Sequence, residues 1–165
     1  MSDLIKENIY KILDQVSDPE IPVLTILDLG IVRDVIIHED DAIEIVITPT
    51  YSGCPAMDAI AFDIKMKLIE NGYKKAKVTY TLHPAWTTDW MSEVGKMKLK
   101  NYGIAQPQNI SSRINKMLFE SEENIECPQC HSTNTKLLSE FGSTACKALY
   151  QCNDCKEPFD YFKCH

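Results

Sequence analysis

Two C-x-x-C pairs, Cys127-Pro128-Gln129-Cys130 and Cys152-Asn153-Asp154-Cys155, constrain this chain more than anything else in it. Each pair makes a tight turn that aims two sulfurs at one point, and two such turns supply the four thiolates of a tetrahedral metal site. Six of the seven cysteines and two of the four histidines fall between 127 and 165, an enrichment that core packing would not produce. That stretch is 39 residues long, close to the lower limit of about 40 at which an apolar core can fold a domain unaided. A bound ion would supply the missing stabilisation, roughly 10 to 16 kcal/mol for structural zinc sites in peptides. Zinc is the expected cofactor, held by Cys127, Cys130, Cys152 and Cys155, although four thiolates also hold iron or a transient iron-sulfur cluster. Cys146, Cys164, His131 and His165 exceed a four-ligand site and are candidates for extra or exchanging ligands. Disulfides are disfavoured, because the opening Met1-Ser2-Asp3-Leu4 does not read as a secretion signal and a reducing, cytoplasmic setting is expected.

The remainder of the chain reads as an α+β domain. Ile5, Ile9, Ile12, Leu13 and Val16 share one face of an N-terminal helix that ends before Asp18-Pro19. An extended stretch from 21 to 30 is expected next, then two strands, 31–37 and 42–48, joined by the polar turn at 38–41. A second helix starts at Pro55 and closes at Asn71-Gly72, with Met57, Ile60, Ala61, Ile64 and Leu68 inward. Val78, Tyr80 and Leu82 alternate with Lys77, Thr79 and Thr81, which describes a third strand. A further helix, capped by Thr87 or Thr88, runs to about Tyr102 and ends at Gly103. The order helix, strand, strand, helix, strand, helix predicts an open sandwich with a right-handed crossover into the third strand. The expected organisation is a domain over 1–106, a linker over 107–126 with a short helix near 111–119, and a metal-binding ribbon over 127–165.

Charge excludes some partners. The net value is −7, and the ribbon carries four basic and four acidic groups, so no basic stripe exists to neutralise a phosphate backbone. No apolar run approaches the roughly 18 residues of a membrane span. No glutamate stands three residues before a histidine, and no glycine-rich phosphate loop is present. A Cys54–His83 thiol dyad is conceivable, but no spacing requires it. The chain is therefore expected to be non-catalytic.

In the first domain the chemistry-bearing residue is Cys54, in Thr48-Pro49-Thr50-Tyr51-Ser52-Gly53-Cys54-Pro55. With Pro55 at the first helical position, Cys54 would be the N-cap, where free amides and the helix dipole favour a thiolate. A small residue filling a tight turn is an equal alternative. Asp18 and Glu20 could approach the same region, or could simply shape the turns around Pro19 and Pro22.

Asp18-Pro19-Glu20, Leu29-Gly30-Ile31-Val32 and the segment 48–57 resemble the SufT-like family of iron-sulfur assembly domains. Pro84-Ala85-Trp86-Thr87-Thr88-Asp89-Trp90, Tyr102-Gly103-Ile104-Ala105, the run EFGSTACKAL over 140–149, Glu157-Pro158-Phe159 and Phe162-Lys163-Cys164-His165 resemble a narrower family, the D subunits of phenylacetyl-CoA epoxidase systems. Gln106 departs from that pattern, where proline is expected. The resemblance implies an accessory protein of aerobic phenylacetate degradation that matures a metal centre of a di-iron oxygenase system. Its partners would be the epoxidase components, above all the reductase carrying flavin and a [2Fe-2S] cluster, and it could form a homo-oligomer. Cys54, with Asp18, Glu20, Cys146 or Cys164, would then handle iron or a cluster. Trp86, Trp90, Phe141, Phe159, Tyr161 and Phe162 could anchor a partner or fill a core. The alternatives are an iron-thiolate electron-transfer component and, disfavoured by charge, a zinc-ribbon regulator of transcription.

Overall fold

The computed structural model describes residues 2–108 and 125–163. The expected short helix near 111–119, together with Cys164 and His165, lies outside the described residues. The chain divides into two compact units, 1–86 and 87–165, so the break falls earlier than the expected one after 106.

The first unit has the element order α1 (Ser2–Leu13), β1 (Val32–Ile37), β2 (Ile43–Ile47), α2 (Ala56–Glu70) and β3 (Ala76–Tyr80). Its sheet runs β1-β2-β3, with β1 antiparallel and β3 parallel to β2. Parallel pairing requires a crossover, and α2 supplies it. The α1 stripe is buried at Ile9, Ile12 and Leu13, and α2 buries Met57, Ile60, Ile64 and Leu68, as their spacing predicts. Val35, Ile43, Ile45 and Ile47 of the hairpin are all buried as well. Each such side chain contributes roughly 1.5 to 3 kcal/mol of burial free energy.

One local expectation fails in this unit. Residues 21–30 form consecutive turns rather than extended chain, closed by the Leu24 and Ile26 amides on Ile21 and Val16 carbonyls at 2.9 Å. That path buries Ile21, Leu24, Ile26 and Leu29, four apolar side chains at a spacing no strand could place on one face. Tyr80, at the end of β3, and Leu82, beyond it, are exposed, at 47% and 57%. The Tyr80 hydroxyl instead reaches the Met57 carbonyl of α2, at 3.4 Å.

The second unit opens with a 3-10 turn (Thr88–Trp90) and α3 (Glu93–Tyr102). The expected cap at Thr87 or Thr88 belongs to the 3-10 turn, while Ser92 caps α3, its hydroxyl accepting the Gly95 amide at 2.9 Å. Gly103 closes α3 at φ 91°, a conformation that favours glycine. The chain then forms β4 (Ile104–Ala105), β5 (Thr135–Ser139), β6 (Lys147–Cys152) and β7 (Pro158–Phe162), in the sheet order β4-β7-β6-β5. Because β4 pairs in parallel with β7, through Ile104 with Asp160 and Ala105 with Tyr161, the segment after residue 86 joins the ribbon. One core cluster here joins Ala105, Ile125, Cys127, Ala148, Tyr150, Cys152, Phe159 and Tyr161, with Tyr150 packed on both Phe159 and Tyr161 at ring distances of 6.0 and 5.7 Å.

Candidate metal centre

Each C-x-x-C pair folds into the same turn. In the first, the Cys127 amide donates to the Ser132 carbonyl at 2.9 Å; in the second, the Cys152 amide donates to the Glu157 carbonyl at 3.0 Å. The residue after the second cysteine is left-handed in both, His131 at φ 62° and Lys156 at φ 68°. Neither is glycine, so both turns hold a conformation that costs free energy in an L-residue. The sequence carries no mark of this, since His and Lys do not announce positive φ.

The two turns bring Cys127, Cys130, Cys152 and Cys155 together, with all four sulfurs within 4.8 Å of one another. Cys127 and Cys155 lie 3.7 Å apart, and Cys130 and Cys152 3.5 Å apart. A tetrahedral ion with metal–sulfur bonds of about 2.3 Å sets its ligands about 3.8 Å apart, so the donor set fits such an ion. Cys127 and Cys152 are fully buried, whereas Cys155 is half-buried and Cys130 exposed.

Electrostatics point the same way. The Cys155 amide, seconded by the Asp154 amide and the sulfurs of Cys130 and Cys155, outweighs desolvation and brings Cys152 down to about 7. The Glu157 amide pulls Cys155 down, but desolvation and contact with the other three sulfurs prevail and push it up to about 12. Cys130 is drawn down by the Ser132 amide yet raised overall by desolvation and by Cys152 and Cys127. Four adjacent thiols cannot all ionise without a cation among them.

Around the sulfurs, a set of polar side chains joins the turns. Asp154 accepts hydrogen bonds from the Ser132 hydroxyl and, at 2.8 Å, from the Asn134 side-chain amide. Both contacts hold its carboxyl below the usual carboxylate range, that of Ser132 most strongly. Spacing alone does not reveal these residues; their one signal is the run of turn-forming side chains beside the cysteines.

The other predicted ligands are elsewhere. His131 Nδ1 sits 2.7 Å from Glu126 Oε1, which Lys100 also approaches at 3.2 Å, and the two together lower the Glu126 carboxyl, His131 the more. Cys146 is buried against the Thr144 hydroxyl at 3.1 Å. Neither joins the four-sulfur group. Cys54 is half-buried and lies one residue before the N-cap of α2, which is Pro55. Its amide donates to the Tyr51 carbonyl at 3.3 Å, next to Gly53 at φ 78°. Asp18 shapes a turn, its Oδ1 accepting the Glu20 and Ile21 amides at 2.7 and 2.8 Å. Among the described residues, Asp18, Glu20 and Cys54 do not form a three-ligand cluster. Of the aromatic residues, Trp86, Phe159, Tyr161 and Phe162 are buried, and Phe141 is exposed under the Lys163 ammonium at 4.4 Å.

Fold and cluster define an α+β unit followed by a cysteine-bearing β ribbon. Residues 6–79 match the family described as iron-sulfur cluster assembly protein, and residues 111–163 match the PaaD zinc beta ribbon domain. An Escherichia coli (strain K12) protein, provisionally named among the D subunits of 1,2-phenylacetyl-CoA epoxidase, is 48% identical over 94% of this chain and 91% of its own. The chain belongs to that PaaD family of epoxidase-system proteins. The Fe-S protein maturation auxiliary factor YitW of Bacillus subtilis (strain 168) is 39% identical over 60% of this chain and 97% of its own. A crystal structure of a DUF59 domain from Bacillus anthracis matches with a TM-score of 0.55 and 31% identity, covering 59% of this chain and 92% of that one. Among the described residues, no helix is long and apolar enough to cross a membrane.

Proposed function

We propose that this protein is a non-catalytic, cytoplasmic accessory subunit that assists iron-sulfur or metal-centre maturation in a phenylacetyl-CoA epoxidase system, with the [2Fe-2S] reductase as its client. Cys127, Cys130, Cys152 and Cys155 hold zinc as a structural ion, and Cys54 handles iron or a cluster in transit. The observation that carries the reading is the division of thiols. Four converge within 4.8 Å of one another in the ribbon, while Cys54 belongs to the assembly-type unit, half-buried in the loop that precedes α2. The names of the relatives, an epoxidase component and an Fe-S maturation factor, support the same assignment. In cells that make the reductase with the Cys54→Ser protein, cluster occupancy of the reductase should fall to the level seen without the accessory protein. Occupancy equal to that obtained with the unsubstituted chain would remove the transfer role from this thiol.

The four-thiolate set also favours a second reading, an iron-thiolate electron-transfer component. Protein purified without oxygen separates the two: a resident iron-thiolate centre absorbs visible light, and zinc leaves the protein colourless.

A further inference from the structure

The ladder between β5 and β6 ends at the pair Thr135 and Cys152, so both metal-binding turns project beyond regular pairing. Register past that point passes to a polar network. The Asn153 amide donates to the Asn134 carbonyl at 2.8 Å, extending the ladder by one bond. The Asn153 side-chain amide donates to Asn134 Oδ1 at 3.0 Å, and the Asn134 side-chain amide donates to Asp154 Oδ1 at 2.8 Å. Ser132 Oγ accepts the Asn134 amide at 3.0 Å, so its proton is free for Asp154 Oδ2. Both carboxylate oxygens of the second turn thus grip the chain that leaves the first.

We infer that Asp154, through Ser132 and Asn134, is a positioning residue that holds the two C-x-x-C turns at tetrahedral spacing before a metal arrives, and so sets affinity for the ion. This rests on the metal-binding reading above. The physical need is plain: a site that must be assembled during binding binds more weakly than one already formed. Groups that orient metal ligands from outside the coordination sphere are commonly worth 10- to 100-fold in affinity.

The test titrates full-length apoprotein with Co(II), read by sulfur-to-metal charge-transfer and d–d absorption, and with Zn(II) against a chromophoric chelator. Asp154→Ala should weaken both metals by about 10- to 100-fold and speed their loss to the chelator. Asp154→Asn should recover most of the affinity, because its amide can accept from Asn134 and donate to Ser132, which rescues bracing without the charge. A variant Asp154→Ala that binds within twofold of the parent, with the same spectrum, overturns the inference and leaves the metal reading standing. Asp154→Asn as weak as Asp154→Ala overturns it as well, since charge and not bracing would then matter. Failure of the parent protein to bind either metal removes both.

Discussion

At the scale of single residues, the four sulfurs are a titrating unit. With Cys155 up at about 12 and Cys152 down at about 7, the metal-free cluster keeps protons at neutral pH that an ion must displace. Affinity for Zn(II) should therefore rise with pH. Its logarithm should climb more steeply below about pH 7, where Cys152 too is protonated, than above it. Chelator competition between about pH 6 and 8 measures that slope, and a flat profile would contradict thiolate ligation.

At the scale of elements, caps decide where helices begin. The Ser92 hydroxyl on the Gly95 amide is a side-chain N-cap, and Ser92→Ala should cost about 1 kcal/mol, read as a lowered midpoint for the unit that contains α3. Legibility varied by element for physical reasons. Met57, Ile60, Ile64 and Leu68 repeat with helical spacing between Pro55 and Gly72, so α2 could be placed from its residues alone. The turns over 21–30 could not, because their apolar residues are buried by a folded-back path that has no period. Ser92 lost out to Thr87 and Thr88, which carry the same capping chemistry a few residues earlier. The cysteine site was legible because C-x-x-C spacing is itself geometry. The bracing by Asp154, Asn134 and Ser132 was not, because it joins segments about twenty residues apart through side chains common in any turn.

At the scale of the whole molecule, the two units depend differently on an ion. The first has a core of its own, with Ile9, Leu13, Ile26, Ile31, Ile45 and Ile64 all at 0% exposure. In the second, Cys127 and Cys152 belong to an apolar cluster with Ala105, Ile125, Ala148, Tyr150, Phe159 and Tyr161, so a metal held there also fastens that cluster. Stripping the ion from full-length protein should melt the second unit and leave the first folded, seen as loss of amide protection confined to residues after 86. Uniform retention of protection would show that the ribbon stands without metal. The pairing of β4 with β7 carries a practical corollary. A fragment begun at Cys127 would leave behind the two-residue strip that sheathes one flank of the sheet, baring a row of unmatched amides and carbonyls on β7. Such a bare margin recruits neighbouring molecules, so the shortened piece would clump in the tube, and a soluble excision has to start upstream of the 3-10 turn.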